Sequence, residues 1–430
     1  MSKPLFVISA PFDTYSGYGA RSRDVIKSII KSGKYEVKLL SQKWGATPWN
    51  FVQDHFDKWG FLTEHLLNPE EKNRQPDVWM QITVPNEFQP IGKFNIGMTA
   101  GMETTLVDAS WVEGINRMDL NFVSSEHAKN SFLESQYQKQ EQGKIVGVVS
   151  VQKPIEVIFE GADLDVYFQD NKPCLIDFNI PEQFAYLFVG HWMQGDIGED
   201  RKNVGLLIKA FLETFKNTKN APALILKTSG AGASAVDREQ ILNRYYQIRK
   251  TVKGTLPNVY ILHGEFTDEE MNSLYNHSKV KAMVSLTKGE GFGRPLLEFS
   301  LSKKPIIVSG WSGHLDFLKP EFTVFVGGEL KNVHPSAVVP NMILPESQWF
   351  NPNHGDVGGK LKDVWKNYKQ YVDLGKRQAH YSKTNFSWEK MHELLSFRLD
   401  KHLPKFAQQV NLKLPDLGVK TNKLELPKLK

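Results

Sequence analysis

The sequence predicts an α/β protein made of two doubly wound domains facing each other across a cleft. Three observations carry this. Short apolar runs alternate with amphipathic stretches along most of the chain, the pattern of parallel strands joined by crossover helices. Several of those runs end in loops rich in glycine, where open α/β sheets place ligands. And 430 residues exceed what one ordinary core accommodates.

The elements follow in order. LFVISA (5–10) reads as a buried first strand, and YGARSRDVIKSIIKSG as a helix with Val25, Ile26, Ile29 and Ile30 on one face and Gly33 as its stop. YEVKLL (35–40), VWMQIT (78–83), FNIGMT (94–99), LNFVSS (120–125) and KIVGVVSV (144–151) continue the strand series. A second unit begins near 184 with the strand AYLFVGH (185–191), the helix VGLLIKAFLETFKN (204–217) and the strand ALILKTS (223–229). After VYILHGEF (259–266), Thr267 and Glu270 have capping-box spacing ahead of a helix. VKAMVSL (280–286) and KPIIVSG (304–310) complete the sheet, and helices are expected over 358–377 and 386–403. The expected division is 1–170, completed by 386–403, then 171–385, then a tail over 404–430. That tail holds a crude repeat, LKLPDL (412–417) and LELPKL (424–429), and reads first as surface-draped or disordered, second as a partner-docking segment.

Composition bounds the function. Forty per cent hydrophobic and 23% charged residues mark a soluble globular chain rather than a disordered one. A net charge of +5, from 53 basic and 48 acidic residues, is too small for a dedicated nucleic-acid binder of this size. The lone Cys174 permits no intrachain disulfide, fits a reducing compartment and reads as a small buried hydrophobe. MSKPLFVISAPFD lacks the layout of a signal peptide, and no run approaches the roughly 18 apolar residues of a membrane span. A cytoplasmic location is expected, with peripheral membrane contact left open.

The chemistry concentrates in GEGFGRPLLEFS (289–300), directly after a predicted strand. Gly291 and Gly293 let a ligand approach the backbone, and Pro295 suits the first turn of a helix whose free N–H groups would favour a phosphate. Glu298, about a turn into that helix, can accept two ribose hydroxyls, and Glu290 can bind a second polyol. Phosphate, ribose and polyol together describe a nucleotide sugar.

With SGWSGHLDFL (309–318) downstream, this region resembles the donor site of the retaining glycosyltransferases of family 4, whose GT-B fold is two facing Rossmann-like domains and whose motif is Glu, seven residues, Glu. The resemblance implies that Glu290 holds sugar hydroxyls, that backbone around Gly291, Phe292 and Gly293 meets the donor, and that Glu298 binds ribose. In FVGHWMQGDIGEDRKNVGLLIKAF (188–211), Lys202 matches the family's diphosphate-gripping lysine; His191 stands where an arginine is expected, with Arg201 as substitute or as a solvated charge. HGEF (263–266) resembles the loop against the nucleotide base, through Gly264, Glu265 and Phe266. In SGYGARS (16–22), Gly17 and Gly19 would admit the diphosphate and acceptor. Glu103, in IGMTAGMETTLVDASWVEGINRMDLNFVSSEHAKNSF (96–132), fits the glutamate of a subgroup with a Glu-Thr pair, where many relatives have a histidine. Ser125 reads as a helix cap, His127 as a surface histidine, and Trp311 equally as ring wall or core. EVIFEGADLDVYF (156–168) resembles the family's segment before the linker, with Glu160 in place of an asparagine, and FSWEK (386–390) the crossing back to the first domain.

The implied activity is transfer of a sugar, with retention, from a nucleoside diphosphate sugar to an acceptor hydroxyl. Glu290, Lys202 and Glu103 are the expected catalytic residues. UDP is the favoured donor nucleotide over GDP or ADP, no metal is obligatory, and the acceptor is a glycan or glycolipid. Two alternatives stand beside it: a phage-type enzyme glycosylating hydroxylated DNA bases, and a catalytically silent module that retains the fold.

Overall fold

The computed structural model describes residues 3–406 except 69–73, 142–143, 171, 173, 231 and 233. The N-terminal half contributes strands β1 (Leu5–Ala10), β2 (Glu36–Ser41), β3 (Val78–Ile82), β4 (Phe94–Met98), β5 (Leu120–Val123), β6 (Tyr137–Glu141), β7 (Lys144–Val149) and β8 (Ile155–Val157). Its helices are α1 (Gly17–Ser32), the single turns α2 (Phe51–Asp54) and α3 (Phe56–Trp59), α4 (Ala109–Arg117) and α5 (Glu126–Glu134). The C-terminal half contributes β9 (Ala185–Val189), β10 (Ala223–Lys227), β11 (Val259–Leu262), β12 (Val280–Ser285), β13 (Ile306–Ser309), β14 (Val324–Val326), β15 (Gly328–Asn332) and β16 (Gln348–Pro352). Among its helices are α6 (Val204–Phe215), α7 (Ala235–Thr251), α8 (Asp268–Asn276), α9 (Arg294–Ser300), α10 (His354–Lys366) and α11 (Tyr368–Asn385), and α12 (Trp388–His402) ends the described chain.

Two six-stranded sheets organise the molecule, in the orders β2-β1-β3-β4-β5-β8 and β11-β10-β9-β12-β13-β14. Every pairing within them is parallel. A parallel sheet must be covered on both faces, which is why β1 and β3 are buried along their whole length and read as mostly apolar runs. This is the GT-B architecture, two Rossmann-like sheets with helices on both sides.

The chain crosses back after α11. Ala162 N–H donates to Phe386 O at 2.9 Å and Trp388 N–H to Ala162 O at 2.7 Å, so the returning segment docks on the strand-like stretch after β8. Gly161 has no room for a side chain there, since a Cβ would lie 2.6 Å from Ser387 O. Trp388, Met391, Leu395 and Leu399 of α12 then enter the same core as Phe6, Ile8, Ile26 and Ile29. The last helix thus completes the first domain's packing.

Some expectations change. KIVGVVSV is not a strand of the main sheet: Lys144–Val149 pairs antiparallel with Tyr137–Glu141 as a separate ribbon, and the sixth sheet position goes to Ile155–Val157. Exposed Ile145, Val146 and Val148 show why an apolar run misled here. The helix expected over 358–377 is two helices, broken at Asn367. Cys174 is half-buried rather than core. The capping box forms as spaced, Thr267 Oγ1 accepting from Glu270 N–H and Glu270 returning to Thr267 N–H. Most of the tail, 407–430, lies outside the described residues.

Because Met391 is fully buried at the junction of α12 with the first sheet, Met391→Ala should cost about 2–5 kcal/mol. Urea unfolding followed by circular dichroism measures it, and a change below the scatter of surface substitutions would mean α12 contributes little to that core.

Candidate functional site

In each sheet the chain leaves one strand to one side and returns to the other, and the crevice at such a reversal is where open α/β sheets bind ligands. In the second sheet the reversal lies between β9 and β12, so the loops 190–203 and 286–293 share one crevice. In the first it lies between β1 and β3; the loop after the neighbouring β4 meets the second sheet's crevice, bringing Glu103 to Arg201 and Ala100 to Gly291.

A charge cluster fills the junction. Lys202 Nζ donates to both oxygens of Glu290, at 2.6 and 2.7 Å. Arg201 Nη1 lies 3.6 Å from Glu290 and 3.2 Å from Glu103, which belongs to the opposite domain, and donates to Gly289 O at 3.2 Å. Burial pushes the Glu290 carboxyl up, but Lys202 and Arg201 outweigh it and hold it below the usual range. For Lys202 the balance reverses: burial lowers its pKa despite Glu290. Arg201, for which the sequence left a substitute cation and a solvated charge equally open, is partly buried and paired with two carboxylates. His191 Nδ1 sits 3.1 Å from Ser229 Oγ, and burial together with Lys202, Arg201 and Lys227 lowers its pKa.

Bare backbone lets the domains meet. A Cβ on Gly289 would fall 1.8 Å from Glu103 O, and one on Gly291 2.8 Å from Ala100 O. Ser125 Oγ accepts from Ala128 N–H as the cap of α5 and donates to Gly291 O at 2.5 Å, so this cap also bridges the cleft. Gly313 packs against the carbonyls of Glu290 and Gly291. Ser312, at φ 85°, holds a conformation rare for residues with a side chain, and its Oγ accepts from Glu290 N–H at 2.9 Å.

The start of α9 offers fewer donors than expected. Gly293 takes the left-handed conformation (φ 98°) that glycine favours, Pro295 has no N–H, and the N–H of Leu296 turns back to Gly293 O at 2.9 Å. Phe292 is buried in the core against Phe317, which leaves only its backbone for a ligand. Glu298 is buried too; Arg294 Nε donates to its Oε1 at 2.8 Å and Tyr275 Oη to its Oε2 at 3.3 Å. Burial carries this carboxyl up to about 7, against the pull of Arg294. The same guanidinium reaches Asp24 of α1, in the other domain, through Nη1 at 2.6 Å.

The remaining predicted residues are spread around this centre. Gly17 opens α1 with no atom within 4 Å of where a Cβ would lie, whereas Gly19 is a packing requirement, its Cβ position 2.3 Å from Thr14 O. Ser16 caps the helix by accepting from Gly19 N–H. In the HGEF loop, Gly264 has φ 119° and its carbonyl accepts from Lys227 Nζ at 2.6 Å; Lys227 lies over the Phe266 ring, and Glu265 is exposed. His127 is not a surface histidine. Its ring packs edge-on against Trp311 at 4.6 Å across the cleft, and burial plus His314 push it down to about 4. Trp311 is therefore a wall between domains.

Sequence reasoning missed Asp24, Arg294 and Lys288. Arg294 and Glu298 are an i, i+4 pair, a spacing that was available to read. Lys288, with no exposed surface, pairs with Glu199 at 3.2 Å and donates to Asn351, and nothing in its neighbours marks it for burial. A groove of about 890 Å³ runs outside this lysine, lined by Glu199, Lys209, Lys331, Asn351 and His354, and does not include the charge cluster. Among the described residues no group of three or more His, Cys, Asp or Glu is placed to hold a metal, and no helix is long and apolar enough to cross a membrane.

No protein-family model and no curated protein sequence matches the chain. Solved structures do. A sucrose-phosphate synthase from Thermosynechococcus elongatus superposes with TM-score 0.60 at 13% identity, covering 93% of this chain and 98% of that one. A glycosyltransferase from Rickettsia africae gives 0.57 at 14%, covering 94% and 100%. Anabaena HepE in complex with UDP and glucose gives 0.54 at 10%, covering 93% and 100%. At such identities the likeness establishes the GT-B fold.

Two outcomes follow from the site's geometry. Gly289→Ala should drive the domains apart, because its new methyl meets a backbone carbonyl that cannot rotate away; small-angle scattering should show a larger radius of gyration, and an unchanged one would refute the contact. Glu298 keeps its proton to higher pH when folded than when unfolded. The folded state therefore binds more protons between the ordinary value of 4.5 and about 7, so stability falls as pH rises through that window. Glu298→Gln should remove that fall, and parallel stability–pH profiles for variant and wild type would contradict it.

Proposed function

We propose that this chain is a retaining glycosyltransferase that uses a nucleoside diphosphate sugar, UDP-linked by preference, and acts on a hydroxyl of a glycan or glycolipid acceptor. The observation that carries the reading is the meeting of Arg201, Lys202 and Glu290, at the switch-point crevice of one sheet of a GT-B fold, with Glu103 from the loop after β4 of the other. Its two cations are balanced by two carboxylates, so donor binding is an exchange of partners. Lys202 and Arg201 turn to the diphosphate, and Glu290, released from them, accepts hydroxyls of the sugar.

The chemistry then follows the charge. The bond from the anomeric carbon to the diphosphate oxygen breaks, and negative charge gathers on the leaving group. Lys202 and Arg201 stabilise it in a closed site where water does not screen them. The acceptor oxygen bonds to the same face of the sugar, and its proton passes to the departing phosphate oxygen. Glu103, held by Arg201, faces the reacting centre from the acceptor side. Glu298 reads the ribose, and the Gly264–Phe266 backbone lies against the base. The HepE complex with UDP and glucose supports the choice of nucleotide by analogy of fold.

Thermal unfolding in the presence of UDP, GDP, ADP and their sugars tests the reading. One nucleotide should raise the melting temperature in proportion to its binding. With that donor, Lys202→Ala should lower sugar transfer or donor hydrolysis by about 10²–10³-fold, the scale of losing one charge-stabilising donor. Absence of stabilisation by every nucleotide would contradict the proposal.

A further inference from the structure

The pair Arg294–Asp24 has no part in the chemistry above, yet among the described residues it is the most deeply buried of the ion pairs that join α1–α3 to the second domain. The others run from Lys58, 38% exposed, to Asp268 and Glu269, 48% and 58% exposed, and such pairs contribute little once solvated. Arg294 and Asp24 are 19% and 9% exposed and 2.6 Å apart. Burying charges to dock two surfaces is costly where apolar contact would serve. What distinguishes this pair is its third member, since one planar guanidinium fixes two carboxylates through different nitrogens, Asp24 through Nη1 and Glu298 through Nε. Asp24 is itself anchored: Trp388 Nε1 of the returning helix donates to its backbone carbonyl at 3.2 Å.

We infer that Asp24 and Arg294 are positioning residues that tie the ribose-reading carboxylate, Glu298, to the opposite domain, so that ribose recognition and domain closure are one coupled event. This rests on the donor site proposed above. With the domains together, Asp24 holds the guanidinium, and the guanidinium orients the Glu298 carboxylate. With Asp24 withdrawn, Arg294 loses its second anchor and Glu298 its fixed orientation. By linkage, closure must favour a ligand bearing ribose hydroxyls to the same extent that such a ligand favours closure. Lysine cannot replace Arg294, because a single ammonium does not present two nitrogens in a fixed plane.

Calorimetric titration of the full-length chain separates this from plain structural support. The probes are UDP, or whichever of GDP and ADP binds the wild type more tightly, and its counterpart lacking both ribose hydroxyls. The wild type should prefer the complete nucleotide. Asp24→Asn, which is isosteric and touches no nucleotide, should shrink that preference about tenfold, or 1.4 kcal/mol. It should do so by weakening the complete nucleotide alone. Arg294→Lys should act the same way, and the double variant should be no worse than either single one. Equal weakening of both probes, or an unchanged preference, would overturn the coupling while leaving the donor site standing. A wild type that ignores the ribose hydroxyls would overturn the role of Glu298 and the coupling with it. Failure of the wild type to bind any nucleoside diphosphate would remove the proposed function as well.

Discussion

Four charges crowded into one largely desolvated junction constrain this molecule more than any other feature. Arg201, Lys202 and Glu290 belong to one domain and Glu103 to the other, and each lies within ion-pairing distance of a group of opposite charge, which offsets the cost of taking it from water. Separating the domains removes Glu103 from Arg201, and a cation in the crevice then faces solvent or an incoming anion. An anionic ligand can therefore replace protein carboxylates without a large new desolvation cost, which is the electrostatic condition a diphosphate site requires.

The rest of the architecture serves that junction. Glycines 289, 291 and 313 remove side chains so that main chain meets main chain, and the carbonyls of Ala100 and Glu103 occupy the space. Ser125 and Ser312 pin the loop from either side. Behind it, α12 completes the first domain's core and fixes Asp24, which reaches Glu298 through Arg294. A helix far along the chain thus connects by successive contacts to the carboxylate that reads the ribose in the proposed complex.

Much of this was legible in the sequence because it rests on periodicity and local chemistry. The parallel strands announced themselves as short, mostly apolar runs, and Glu290, Glu298 and Lys202 by their place in the strand-to-helix segments that follow them. What could not be read depends on contacts between distant segments. His127 looked like a surface residue because its partner, Trp311, lies 184 positions away and in the other domain. Gly19 looked like a ligand-facing glycine, but its constraint is the Thr14 carbonyl. The ribbon at 144–149 carried the apolar signature of a buried strand and is exposed. Pro295 argued for a phosphate-binding helix start by its position, while the backbone around it folds back on Gly293.

A crystal structure of the protein with a non-transferable nucleotide sugar addresses the central claim most directly. The diphosphate should lie within hydrogen-bonding distance of Lys202 and Arg201, with Glu290 turned to the sugar and Glu298 to the ribose. A ligand seated instead in the outer groove beside Lys209 and His354, with the Lys202–Glu290 pair intact, would contradict the assignment of the site.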